Sequence, residues 1–387
     1  MDIKKTALEK HQNWNGKIST RVKSKIKTAQ DLSIAYTPGV AEPCKAISQN
    51  PALVYDYTIK SNTIAVITDG SAVLGLGNIG AEASIPVMEG KAVLFKEFAD
   101  INAFPICLNT QDPEAIIETV KRIAPVFGGI NLEDISAPRC FYIEKRLKEE
   151  LDIPVFHDDQ HGTAVVVLAA IINSLKQVKK KPSDLKIVVN GAGAAGTAIA
   201  KLLLEYGCQQ IILCDKNGAL SNENGWINEE QHKIAQMTNP DNLEGPLDRI
   251  LVGADIFIGV SAPGIVTEKM IHTMNVDPIV FAMANPVPEI MPDLAKKAGA
   301  RIIGTGRSDF PNQVNNVLAF PGILKAALTM RKQITDRMKI AASQAIADFL
   351  PPDVINDEKI LPYPFEAGIS DHVVKSIIST MEDETNA

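Results

Sequence analysis

The stretch FHDDQHG, residues 156–162, places two histidines and two aspartates within five residues, directly before a long apolar run. Histidines four apart on a helix share a face and can hold zinc, whereas adjacent carboxylates suit a hard cation or acid/base work. Pro154-Val155-Phe156 is strand-like and Gly162 interrupts the segment, so the spacing predicts a turn over 157–163, with His157 and His161 on no common helical face. Alternation in a strand or turn sends Asp158 and Asp159 in different directions. One of them could then ligate a metal while the other holds a catalytic group. A second acidic pair, Glu133-Asp134 of NLEDI, falls where a strand runs into a loop. Three carboxylates with no thiolate among them favour Mg²⁺ or Mn²⁺ over zinc.

Two G-x-G-x-x-G patterns carry a different chemistry. They are GLGNIG at Gly75, Gly77 and Gly80, and GAGAAG at Gly191, Gly193 and Gly196, with Ala194 and Ala195 inside the second. Context decides between them. Around the second, KIVVN reads as a buried strand, TAIAKLLLEYG as a helix closed by Gly207, and QQIILC as a strand ending at Asp215. In such a βαβ unit the first glycine permits the tight turn, the second lets a pyrophosphate approach the backbone, and the third lets helix and strand pack closely. The helix N-terminus offers its positive dipole end to the phosphates. A carboxylate about 20 residues on, here Asp215, can accept hydrogen bonds from the adenosine ribose. The first pattern is followed by Pro86, which removes a backbone donor where a helix should run. GLGNIG is therefore read as a structural or substrate-side loop.

These groups need elements to hold them. ADIFIGV, PIVFAMA and ARIIGTG read as further strands, each ending in turn residues. Short apolar strands alternating with helices imply an open parallel sheet, with ligands beyond its carboxyl edge. Asn285 lies at such an edge, where an asparagine before proline serves equally as a contact or as a turn former. The earlier half supplies strand-like TIAVITDG and INAFPICL and helical IEKRLKEEL. The expected fold is α/β with two domains: an N-terminal α/β substrate domain over 1–160 and a C-terminal Rossmann-type, doubly wound parallel-sheet domain over 161–387. The acidic stretch then lies at their seam, a common place for an active site.

Composition agrees. A chain of 387 residues is long enough for two cores. A net charge of −7 argues against a nucleic-acid partner, which needs a basic field. The basic stretch Lys17 to Lys27 is interleaved with Ser, Thr, Ile and Val rather than aromatics and reads as a solvated helix or arm. Five scattered cysteines without a C-x-x-C pair fit a reducing cytoplasm. The N-terminus has no signal-peptide core, and no later run approaches the about 18–20 apolar residues of a membrane span, so no membrane partner is expected.

From Tyr36 to Gly322 the motifs YTPGVAEPCKAI, TDGSAVLGLGNIGAEASIPVMEGKAVLFK, INLEDISAPRCF, FHDDQHGTAVV, GAGAAG, ANPVPEI and QVNNVLAFPG succeed one another. In identity and order they resemble those of the malic enzymes. That resemblance implies oxidative decarboxylation of L-malate to pyruvate and CO₂ with NAD⁺ or NADP⁺ and Mg²⁺ or Mn²⁺. It makes Tyr36 the general acid and Lys91 the general base, with a lysine pKa lowered by burial or a neighbouring cation. It makes Glu133, Asp134 and Asp159 the metal ligands and Asp158 the group that orients Lys91, leaving the two histidines as bystanders. Asn285, Asn315 and Asn316 become substrate contacts. Larger members carry an arginine in the loop corresponding to Thr68–Ser71 that grips a malate carboxylate. Here there is none, and Ser71 with nearby backbone amides is the expected replacement. A homodimer or higher homo-oligomer is implied as well.

Two other functions are compatible with parts of the pattern. A malolactic enzyme shares the motifs, keeps its NAD bound and makes lactate. A non-catalytic dinucleotide sensor could share the fold, but it needs no acid, base and metal cage. Asp215 favours NAD⁺ by repelling a 2′-phosphate, although Lys216 beside it offsets that charge.

Overall fold

Runs of β-branched residues bounded by turn formers become strands sorted into two sheets in the computed structural model, which describes residues 3–73 and 75–385. Strands β1 (Thr63–Thr68), β2 (Asn102–Cys107), β3 (Gly129–Leu132) and β4 (Val155–His157) form a parallel sheet ordered β2-β1-β3-β4. The second sheet contains β5 (Lys186–Asn190), β6 (Gln210–Asp215), β7 (Gly218–Ala219), β8 (Ile256–Gly259), β9 (Ile279–Ala282) and β10 (Ile302–Thr305). Its order is β10-β9-β8-β5-β6-β7, parallel except between β6 and the short β7. Burial on both faces explains why the strands read as nearly continuous apolar runs. Chain order reverses at β5, with β6 on one side and β8 on the other, so the crevice between the ends of β5 and β8 is a topological switch point.

The helix Asp158–Val178 joins the two sheets and is buried almost throughout. Its Val165, Leu168 and Ile171 share one apolar core with Ile64 and Val66 of β1 and with Ile187 and Val189 of β5. A helix apolar on every side must be enclosed. By length and composition it would span a membrane, contrary to the expectation that no run reaches that size, but 78% of its most apolar window is buried inside the protein.

Two local expectations are overturned. The predicted turn over 157–163 is the start of that helix: Asp158 and Asp159 occupy its first turn, and Gly162 lies inside it. Enclosure of the helix's apolar residues in the shared core outweighs the about 1 kcal/mol cost of an interior glycine. The helix Ala81–Ala99 likewise runs straight through Pro86, burying Met88, Lys91, Ala92 and Phe95. Tertiary packing of that face overrides the missing N–H. GLGNIG thus does stand between a strand and a helix, and its glycines all have positive φ, 74°, 73° and 82°, serving a tight turn and the helix start at Gly80.

The chain's last helices return to the first sheet's side. Phe320, which opens the helix Phe320–Met330, meets Phe95 edge-on at 4.8 Å. Gln333 bonds the backbone of Leu151, Ile153 and Val155. The N-terminal helices Ile3–Trp14, Ala29–Ala35 and Ala41–Gln49 bury no residue at all. Residues 17–27 between the first two are irregular and largely exposed, as an arm would be.

Candidate active site

The C-terminal edge of the first sheet faces the start of the helix Asp158–Val178, and the acidic residues gather between them. Glu133 and Asp134 follow β3 directly, Asp134 with φ of 54°. Asp158 and Asp159 follow β4. Oxygens of Glu133, Asp134 and Asp159 all lie within 4.8 Å of one another. The Asp134 N–H donates to Asp159 Oδ2 at 2.8 Å, and Asn131 Nδ2 donates to Glu133 Oε2 at 2.8 Å. Asp158 points elsewhere, as its place one step along the helix dictates. Lys91 Nζ donates to its Oδ2 at 2.6 Å and lies 3.1 Å from Glu133 Oε1. Asn316 Nδ2 donates to the same Asp158 oxygen at 2.5 Å. The Lys91 ammonium also sits 4.3 Å from the centre of the Phe320 ring, within cation–π range.

Gly162 is what lets Asp158 lie there, because a Cβ at 162 would come within 1.9 Å of Asp158 Oδ1.

Crowded, buried carboxylates resist ionisation. Burial, then the charges of Asp159 and Glu133, push Asp134 up to about 9. Burial and Asp158 raise Asp159 to about 6, while burial lifts Asp158 to about 7 against the pull of Lys91. Glu133 is raised too, chiefly by burial. Three carboxylates converging with raised pKa values, one of them with a buried and unpartnered oxygen, Asp134 Oδ2, form a donor set suited to a hard divalent cation. For Lys91, burial lowers the pKa, but Asp158 and Glu133 outweigh it and the net displacement is upward. The expected lowering is therefore absent while these carboxylates stand alone.

The histidines diverge. His157 precedes the helix, is fully buried, and has neither ring nitrogen hydrogen-bonded; burial lowers its pKa, keeping it neutral. His161 turns away to pair with Glu144 at 2.7 Å, burial holding its pKa down to about 4. They do not converge on a common ligand.

Ser71 departs from its expected role. Its hydroxyl donates to Asp69 Oδ1 at 2.5 Å and accepts the Ser136 N–H at 3.0 Å, while Arg139 clamps Asp69 Oδ2 through two nitrogens. The hydroxyl is committed to holding the loop. Asn315 accepts the Val317 N–H and so shapes the turn that carries Asn316. Tyr36, at the end of the helix Ala29–Ala35, is 66% exposed, and among the described residues no hydrogen bond ties it to Lys91 or the carboxylates. Asn131 and Phe320 had no sequence signal beyond lying near the motifs, because a strand asparagine and a helix-opening phenylalanine are ordinary in those places.

In the second sheet the fingerprint behaves as its spacing requires. Gly191 has φ of 120°, and a Cβ there would lie 2.5 Å from the Val260 carbonyl oxygen. A Cβ on Gly196 would lie 1.8 Å from the Gly191 oxygen, whereas over Gly193 the space is open. Ala194 and Ala195 open the helix Ala194–Glu205, whose first N–H groups have no intrahelical partner. Asp215 ends β6 and accepts the Asn217 N–H at 2.7 Å. Asn285 follows β9, half-buried before a cis Pro286.

Residues 15–148 match the family model for the malic enzyme N-terminal domain, and residues 160–380 match that for the malic enzyme NAD-binding domain. A bifunctional malic/malolactic enzyme of Bacillus subtilis (strain 168) is 54% identical over 380 residues, covering 97% of this chain and 92% of that protein. An NAD-dependent malic enzyme of Geobacillus stearothermophilus is 57% identical over 364 residues, 94% of this chain and 76% of that protein. Among solved structures, an NAD-dependent malic enzyme from Thermotoga maritima superposes with a TM-score of 0.93 at 51% identity, covering 96% of this chain and 98% of that one.

Proposed function

The chain belongs to the malic enzyme family, and on that premise we propose that it oxidatively decarboxylates L-malate to pyruvate and CO₂ with reduction of NAD⁺. The observation that carries the reading is Lys91, held between Asp158 and Glu133 beside three converging carboxylates. Glu133, Asp134 and Asp159 would hold Mg²⁺ or Mn²⁺. When bound, the cation supplies Lewis-acid polarisation of the oxygen on malate C2, and the nicotinamide supplies the hydride acceptor. Lys91 takes the proton of the C2 hydroxyl, for which it must first be neutral. Offsetting the charges of the neighbouring carboxylates leaves burial as the main influence on it, and burial favours the neutral amine. Asp158 and Asn316 fix where that amine points. Tyr36 returns a proton to C3 after CO₂ has left. Asn285 and Asn316 contact malate; the N–H groups of Gly70, Ser71 and Ala72 already donate to Thr68, Asp69 and Asp134, so the Ser71 loop is given no part in holding a carboxylate.

The division at residue 160 into substrate and nucleotide halves, and a cytoplasmic location, belong to the same reading. So does NAD⁺ over NADP⁺, through the Asp215 carboxylate, with NADP⁺ the alternative that Lys216 would permit. A steady-state assay with L-malate and Mn²⁺ tests the whole. Reduced cofactor equimolar with pyruvate, formed faster with NAD⁺ than with NADP⁺, is expected. Lactate without net reduced cofactor would favour a second reading, malolactic conversion, which is named for the Bacillus subtilis relative.

Gly162→Ala tests the placement of Asp158. Pushing that carboxylate off Lys91 should lower kcat by about 100-fold, the order expected for an ångström-scale misplacement. NADH binding, followed by fluorescence titration, should hold.

The assembly is proposed to be a homodimer or higher homo-oligomer, in which the exposed Tyr36 segment is covered by a second copy. Ile3, Leu8, Val22 and Ile34 are 77%, 76%, 76% and 67% exposed, and bare apolar side chains in this number support the reading. Sedimentation equilibrium should return at least twice the 41.8 kDa chain mass. A monomer at micromolar concentration would refute this assembly.

A further inference from the structure

We propose that Glu289 is a positioning residue, a buried carboxylate that sets the wall of the dinucleotide crevice against which the nicotinamide is placed. The inference rests on the reading that the cofactor lies across the ends of β5, β8 and β9.

Glu289 lies outside every strand and helix and is fully buried. An ionised carboxylate removed from water is costly unless its charge is met, and among the described residues no lysine or arginine pairs with it. Its partners are hydrogen-bond donors from two strand ends. Ser261, two residues past β8, donates its N–H to Oε1 at 2.9 Å and its hydroxyl to the same oxygen at 3.3 Å. Ala284, two residues past β9, donates its N–H to Oε2 at 3.0 Å. The end of β5 joins through the same serine, since Asn190 Nδ2 donates to Ser261 Oγ at 2.7 Å. One carboxylate thus ties three adjacent strand ends together at the switch point.

The surroundings are shaped for it. Gly259, the last residue of β8, can only be glycine while Glu289 stays in place, because a Cβ there would lie 2.4 Å from the carboxylate carbon. Ala284 precedes Asn285, so fixing the Ala284 N–H fixes the residue proposed to face the substrate. Gly306 clears the other side, where a Cβ would lie 2.6 Å from Asn285 Nδ2. On the opposite flank the fingerprint turn rests on Val260, the residue before Ser261, through the close approach at Gly191. Glu289 therefore sets the spacing between the pyrophosphate turn and Asn285, the distance a dinucleotide must bridge.

Glu289→Gln keeps the volume but turns an amide N–H₂ toward one of the two backbone donors. NADH binding, measured by fluorescence without malate, should weaken about tenfold or more, the size of one lost charge-assisted hydrogen bond. ADP-ribose, which lacks the nicotinamide, should bind within about twofold of wild type by calorimetry, a change well under one hydrogen bond. Glu289→Asp keeps the charge and should recover part of the NADH affinity. Equal loss of both ligands would make Glu289 a general support of the domain and overturn the proposal, and so would unchanged NADH affinity. If Glu289→Gln does not fold, Ser261→Ala removes one donor and should shift NADH, not ADP-ribose, in the same direction; no such shift would overturn the proposal. Wild-type protein that fails to bind NADH would remove the cofactor reading and this inference with it.

Discussion

Replacing Lys91 with alanine is expected to lower kcat by about 10³- to 10⁴-fold, the upper range for loss of a positioned general base, with NADH affinity unchanged. The separation of the two effects follows from location. Lys91 lies on the helix Ala81–Ala99 against the first sheet, whereas the glycine fingerprint belongs to the second. The substitution has a second consequence, because Asp158 and Glu133 lose their cation while remaining buried. An unpaired buried carboxylate neutralises itself instead of staying charged. The variant should therefore take up protons at neutral pH, visible as a steeper fall of thermal stability with rising pH than in wild type. Loss of NADH binding in step with turnover would refute the role given to Lys91.

Removing the divalent cation, or replacing Asp159 with asparagine, is expected to abolish turnover, and the metal's effect on stability should depend on pH with a definite sign. Asp134, Asp158 and Asp159 have folded-state pKa values of about 9, 7 and 6, all above the ordinary 3.8 of the unfolded chain. Between those limits the folded state binds more protons than the unfolded one, so this cluster's contribution to stability falls as pH rises. Metal-free protein should thus lose thermal stability from pH 5 toward pH 9. Binding Mn²⁺ must displace the protons held by its own ligands, Asp134 and Asp159 among them. The melting-temperature gain on adding Mn²⁺ should accordingly grow from pH 6 to pH 8, with proton release measurable in calorimetry at differing buffer ionisation enthalpies. A gain that shrinks with pH would refute the carboxylate ligand set.

How far the sequence reveals this molecule differs by element. The strands of the second sheet are legible because burial on both faces leaves an unbroken apolar run, and the fingerprint because glycine is the residue that survives a φ of 120° beside the Val260 carbonyl. Glu133 and Asp134 with one of Asp158 and Asp159 are legible as a group because acidic residues stand next to strand ends, whereas the choice of Asp159 rests on the family resemblance alone. The start of the helix at Asp158 is not, since Gly162 reads locally as a breaker and its reason, clearance for the Asp158 carboxylate, exists only in three dimensions. Pro86 misleads in the same way: the packing of Met88, Ala92 and Phe95 that holds its helix together comes from distant segments. Ser71 reads as an available hydroxyl until the fold brings Ser136 and Asp69 to it. The bare N-terminal helices carry no mark in composition at all.

The helix Asp158–Val178 begins among the acidic residues and runs through a core to which both sheets contribute. Its apolar flanks cannot be left half-covered, so the parts of the chain that carry the two sheets are not interchangeable modules. A chimera that exchanges one half between relatives should keep this helix matched to both of its neighbours, and the two halves should melt in a single cooperative transition. Modularity in this chain stops at the helix that carries Asp158 and Asp159.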